Sequence, residues 1–170
     1  LGLFRDVFLQ RGGEVLEYFG AGLLPVPDAS QSVEPGHMAE WIYLLDRYER
    51  ITGRDSGVDL KRLFEAVQAR KLPSGFLPDS SRPMVLTRRL WPQLEFLRAA
   101  LVMRWRGIVL PHADTPAMIM DRIRQAYLTV DMRGGWYDQL DEGGVIRSRL
   151  MPASTLYHVQ LALRAYCDGE

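Results

Sequence analysis

At 170 residues the chain is long enough to bury the core of one domain. Apolar residues make up 47% and charged residues 25%, and 21 basic against 21 acidic side chains leave no formal net charge. This excludes a basic excess aimed at nucleic acid or an anionic membrane; Cys167, alone, excludes a disulfide framework or a multi-cysteine metal site.

No stretch reaches the roughly 18 continuous apolar residues of a membrane span. The single cysteine fits a reducing compartment, so a cytoplasmic protein is expected. The start, LGLFRDVFLQRGG, lacks both an initiator Met and the apolar block of a signal peptide. It enters a helical pattern at once, and the chain is expected to be a piece of a longer one.

Residues 1–19 read as a first helix, with Leu3, Val7, Phe8, Val15, Leu16 and Phe19 at roughly helical spacing and Gly12-Gly13 as a weak point. Residues 20–35 hold Gly20, Gly22, Pro25, Pro27 and Pro35 and read as a long loop of the kind that often carries function. A second helix is expected over 36–52, with Leu45, Tyr48 and Ile51 inward and Asp46 facing water. A third follows over 58–71, with Leu60, Leu63, Phe64 and Val67 inward. A fourth covers 88–106, with Leu90, Leu94, Leu97 and Leu101 in one row and Trp91, Glu95, Arg98 and Val102 in a neighbouring row. Thr115 caps and Pro116 opens a fifth helix running to about 130. Residues 136–140 and 145–148 pair as a short hairpin, and a sixth helix runs from Pro152 to about Ala165. About six helices with long loops and minor β structure give an all-α class in a single unit, 1–170.

The chemistry-bearing stretch is EPGHMAEW, Glu34 to Trp41. His37, Glu40, Trp41 and Leu44 stand at i, i+3, i+4 and i+7, on one helical face. A face that carries an imidazole, a carboxylate and an indole is unusual for plain core. The plainer reading is a partly buried histidine bonded to Glu40. His158 sits near the start of the sixth helix, again after a Pro-bearing loop, and helix ends gathered at one mouth bring the two histidines close. His112, in LPHADTP, reads as an exposed loop residue. Glu95 has Trp91 one turn earlier; its plainer reading is a solvated carboxylate paired with Arg98 or Arg88. Trp136, in a Gly-rich loop, is either a sugar-binding surface or a plug for the end of a bundle. No phosphate loop, HExxH, GxSxG or Cys/His cluster occurs, and His37 with Glu40 offers too few ligands for a metal.

EPGHMAEWIYLL, LWPQLEFLRAAL, GGWYDQLDEGG and MPASTLYHVQLAL, in this order, resemble the second half of the N-acylglucosamine 2-epimerase family, closest to its mannose-type aldose–ketose isomerase branch. The resemblance implies an (α/α)6 barrel, of which residues 1–170 would be the C-terminal half with about six of twelve helices. It implies His37 and His158 as the acid/base pair, Glu40 as the residue that orients the first histidine or the substrate, and Trp41, Trp91, Glu95 and Trp136 as substrate contacts. Ser154 stands where some relatives carry a larger polar residue. No metal, nucleotide or redox cofactor is implied. The expected function is interconversion of an aldose and a ketose of mannose type through an enediolate, on a free sugar or on a phosphorylated one with Arg88 and Arg89 as phosphate partners. The chemistry suits the residue types, since removal of a proton α to a carbonyl needs a base titrating near neutrality. The expected partner is a small-molecule sugar, with a homodimer or the missing N-terminal half completing the cleft.

Two rivals stand beside this. One is a 2-epimerase of N-acylglucosamine or of a disaccharide. The other, of a different class, is a non-catalytic helical module that binds sugar or protein through an exposed inner face. A glycoside hydrolase would need two carboxylates flanking a bond, with only Glu40 and Glu95 to supply them.

Overall fold

The computed structural model describes residues 1–27, 30–109 and 113–169. His112 lies outside the described residues. Five α-helices organise the rest: α1 (Pro35–Thr52), α2 (Leu60–Gln68), α3 (Leu90–Trp105), α4 (Pro116–Ile123) and α5 (Ala153–Asp168).

The helix expected over 1–19 is cut to one helical turn, Phe4–Phe8. Gly12-Gly13 is the reason. Gly13 takes a left-handed φ of 80°, and the chain doubles back so that Leu9 bridges Val15 and the Gln10 N–H donates to Glu14 O at 2.8 Å. Residues 9–19 are therefore an irregular turn-back rather than helix, and Val15 and Leu16 lie in the core.

α1 starts as its sequence predicts, on Pro35, and ends at Gly53, whose φ of 66° only glycine adopts freely. Its core face is Met38, Ala39, Ile42 and Leu45. Ile51, expected inward, is exposed, and Asp46, expected in water, is buried. Asp46 tolerates burial because Arg50 and Arg106 reach it at 2.8 and 2.7 Å. α2 buries Leu60, Leu63, Phe64 and Val67, and Asp59 caps it by accepting the Arg62 N–H. Thr115 caps α4 by accepting the Met118 N–H, and the helix continues into a wider turn, Arg124–Leu128.

α3 is buried almost all round, from Leu90 to Met103. It is the central helix: α1 and α5 pack on its two sides, α4 packs on it as well, and α2 packs on α1. The anticipated hairpin is present but shorter, as β4 (Gln139–Leu140) against β5 (Ile146–Ser148). A third strand, β3 (Arg88–Arg89), pairs with β4 and leads directly into α3. A separate antiparallel pair, β1 (Ser80–Ser81) and β2 (Met84–Val85), lies before it. Among the described residues no helix is long and apolar enough to cross a membrane.

Candidate active site

Three helices begin at one place. His37 lies in the first turn of α1, Trp91 in the first turn of α3, and Ser154, Thr155, Tyr157 and His158 in the first two turns of α5. Together with Glu40 they line one cavity of about 130 Å³. The N-terminal ends of helices carry partial positive charge, so three of them at one cavity favour a negative charge inside it.

Trp91 neighbours both histidines, its ring centroid 4.9 Å from that of His37 and 5.4 Å from that of His158. Gly36 permits this. A Cβ there would come within 2.7 Å of the Trp91 Cη2 and Cζ3 atoms and 2.8 Å of Pro92 Cβ. The glycine before His37 thus lets α3 approach α1 closely enough to lay the indole beside the imidazole.

Each histidine has its Nδ1 engaged by a carboxylate. Carboxylates accept only, so both Nδ1 atoms donate and both Nε2 atoms remain for chemistry. His158 Nδ1 donates to Glu95 Oε1 at 2.6 Å. Glu95 is fully buried, and Arg98 Nη1 donates to both of its oxygens at 2.7 Å. The Arg98 guanidinium lies 3.7 Å over the Tyr43 ring. Pairing of Glu95 with Arg98 was legible from their spacing, but the pair is buried rather than solvated, and it anchors His158.

His37 Nδ1 donates to Glu17 Oε2 at 2.9 Å, with Glu34 Oε2 farther away at 3.7 Å. Burial pulls the His37 pKa down, but the Glu17 hydrogen bond and the charges of Glu17, Glu34 and Glu40 outweigh it, and the net shift is upward. Glu40, expected to orient His37, reaches it through charge alone, without a hydrogen bond. Burial and the neighbouring Glu95 charge raise the Glu40 pKa.

Not every residue read from the sequence meets at this cavity. Trp41 packs on Phe4, with ring centroids 4.0 Å apart, and Trp136 is in the hydrophobic core; neither is among the cavity-lining residues. Arg88 is buried, donating to Ser74 Oγ and Asp141 O, so its guanidinium serves the loops before α3 and α5 rather than a phosphate. Arg89 is exposed beside Asp79. Glu17 was missed because its stretch was read as helix. Tyr157, whose ring centroid is 3.8 Å from that of His158, also lines the cavity. Glu40, Glu95 and His158 offer three donor atoms within 4.8 Å of one another. An ion held there would have to take Glu95 away from Arg98 and His158, at the cost of a buried ion pair.

The family model for N-acylglucosamine 2-epimerase (GlcNAc 2-epimerase) matches residues 3–162. The chain belongs to the N-acylglucosamine 2-epimerase family. It is 32% identical over 182 aligned positions to a mannose-6-phosphate isomerase of Rhizobium meliloti (strain 1021), covering 95% of this chain and 44% of that protein. Its fold is similar to a sugar epimerase from a ruminal bacterium, with TM-score 0.80 and 18% identity over 99% of this chain and 46% of the other. A D-mannose isomerase superposes with TM-score 0.71 at 19% identity, over 93% of this chain and 43% of the other. A cellobiose 2-epimerase from Bacillus thermoamylovorans B4167 gives 0.68 at 18% identity, over 96% and 45%. The chain thus spans less than half the length of these relatives, and its fold is about half of an (α/α)6 barrel. The expected helices are met by five α-helices and the short turn Phe4–Phe8.

Proposed function

We propose that this chain carries the proton-transfer half of a sugar isomerase, one that interconverts a mannose-type aldose and its ketose through an enediolate. The observation that carries the reading is the pair of carboxylate-anchored imidazoles, His37 and His158, lining one cavity together with Trp91. The relatives' names, mannose-6-phosphate isomerase and D-mannose isomerase, support the substrate class.

On this reading the sugar binds as the open-chain aldose. His37, neutral, takes the C2 proton on Nε2, and the electron pair moves into C1–C2 as charge develops on O1. The three helix N-termini stabilise that charge without rearrangement. His158 passes a proton from O2 to O1. His37 then returns its proton to C1, giving the ketose. A 2-epimerase would use the same groups differently: His158 would reprotonate C2 from the opposite face. The two imidazoles at one cavity, and the epimerase neighbour with TM-score 0.80, keep that as the second reading. The cavity is smaller than the roughly 300 Å³ at which ordinary ligand pockets begin. We therefore take the chain as the C-terminal half of a barrel whose other half walls the remaining side.

The test is His37→Asn in the natural full-length polypeptide, assayed on mannose and mannose 6-phosphate in deuterated water. Turnover is expected to fall at least a hundredfold with sugar binding retained. Solvent deuterium is expected on C1 of the product; deuterium on C2 selects the epimerase reading. An unchanged rate removes His37 from the chemistry.

A further inference from the structure

The residue that touches His37 lies 20 positions upstream, outside the α1 motif, in a segment that is neither helix nor strand. A carboxylate on irregular backbone orients nothing unless that backbone is itself held. Gln31 holds it. Gln31 is 1% exposed, and its Oε1 accepts the Glu17 N–H at 3.1 Å and the Tyr18 N–H at 3.0 Å, while its Nε2 donates to Tyr18 O at 2.9 Å. One side-chain amide satisfies three backbone groups, as a pairing strand would. Leu16 on one side of Glu17 is buried, and Phe19 on the other packs on Phe8 at 5.0 Å between centroids.

The other groups facing His37 do not replace this contact. Glu34, just before α1, is 3.7 Å from the same nitrogen, beyond hydrogen-bond length. Glu40, on α1 itself, acts by charge. α3 presents the Trp91 ring, and α5 brings Tyr157 and His158 into the shared cavity. Among the described residues only the Glu17 carboxylate accepts from Nδ1, and an imidazole held that way keeps its lone pair on Nε2.

We propose that Glu17 is the positioning residue of His37, fixing its Nδ1–H tautomer and ring orientation, and that Gln31 keeps Glu17 in place. The functional weight of this rests on the reading of His37 as the proton-transfer base, but the positioning itself is measurable without turnover.

The experiment uses the full-length polypeptide with ¹³C,¹⁵N-labelled histidine, as wild type, Glu17→Gln, Glu17→Asp and Gln31→Leu. Imidazole signals are followed against pH, and kcat and KM against pH in parallel. In Glu17→Gln the His37 midpoint is expected to fall, because burial remains after the carboxylate has gone. Its ¹⁵N pattern loses the predominance of the Nδ1–H form, and the His158 signals stay where they were. The acid limb of kcat/KM moves the same way, and kcat drops about tenfold or more with KM within about twofold. Glu17→Asp restores part of the midpoint, and Gln31→Leu shifts it in the direction of Glu17→Gln. An unchanged His37 midpoint and tautomer in Glu17→Gln overturns the proposal. So does an equal displacement of His37 and His158, which marks general loosening. If the His37 signals move as expected while turnover is untouched, the positioning stands and the catalytic role of His37 falls.

Discussion

Gly36→Ala sets two forces of opposite sign against each other. In a helix, alanine is favoured over glycine by up to about 1 kcal/mol, so with free space the variant would be more stable. The space is not free. The new methyl would lie 2.7 Å from two Trp91 ring carbons, and the indole must retreat by about 0.8 Å to regain an ordinary carbon–carbon separation of about 3.5 Å. Pro92, at 2.8 Å, blocks one simple escape, because it is fixed in the first turn of α3. Overpacking of this kind costs about 1–3 kcal/mol, which exceeds the propensity gain, and a net loss of about 1 kcal/mol is expected. On the proposed function, the effect on turnover is larger than on stability. Trp91 lies against both imidazoles, and a displacement near 1 Å in a reacting constellation costs about a hundredfold in rate. Urea unfolding reads the first quantity and kcat/KM the second. Gly36→Ala combined with Trp91→Leu removes the ring but leaves the Pro92 contact at 2.8 Å, so the alanine is expected to cost less in that background than in the wild type, with no return of activity. A single Gly36→Ala variant that is stabilised, with His37 and His158 signals unmoved, would refute the close approach of α1 and α3.

Two further outcomes follow from the buried charges. Glu95→Gln leaves Arg98 buried beside an amide that cannot balance it, and a loss of about 3–5 kcal/mol in urea unfolding is expected, with Arg98→Met in the same background returning part of it. His37 is a pH-dependent contributor: its pKa is raised in the folded chain, so its stabilisation is full below the ordinary imidazole value of about 6.5 and is lost as pH rises through the folded value. The stability difference between wild type and His37→Asn should therefore shrink from pH 6 to pH 8 in urea titrations, and a difference independent of pH contradicts the assignment.

The helices with a one-sided apolar stripe and a local stop signal were legible in the sequence. α2 is bounded by an Asp cap, α4 opens on Thr115-Pro116, and α1 opens on Pro35 and closes on Gly53. The first nineteen residues misled because their apolar spacing tolerates two readings, and the choice was made by Gly13 turning left-handed against Ala66, a tertiary contact. α3 gave its extent but not its environment, since a helix covered on all sides buries its charged residues as well. Hence the plainer reading of Glu95 as a solvated carboxylate fails, while its pairing with Arg98 holds. Of the residues that line the cavity, His37, Glu40, Trp91 and His158 belong to short motifs near helix starts and were visible. Glu17 and Gln31 were not, because they act through backbone pairing across an irregular segment, which leaves no period in the sequence.

The shared direction of α1, α3 and α5 has a bearing on how such a site diversifies. Each of these helices starts at the cavity, so each is entered there from a preceding connection: residues 30–34 before α1, 69–89 before α3 and 129–152 before α5. Insertions and exchanges in those connections remodel the rim of the cavity while the interlocked helix faces behind it stay unchanged. His37 and His158 stand on the helices themselves, so changes in the connections leave their backbone positions in place. Frames that superpose on this one at 18–19% identity bear the names of both epimerases and isomerases, which is the divergence such an architecture permits.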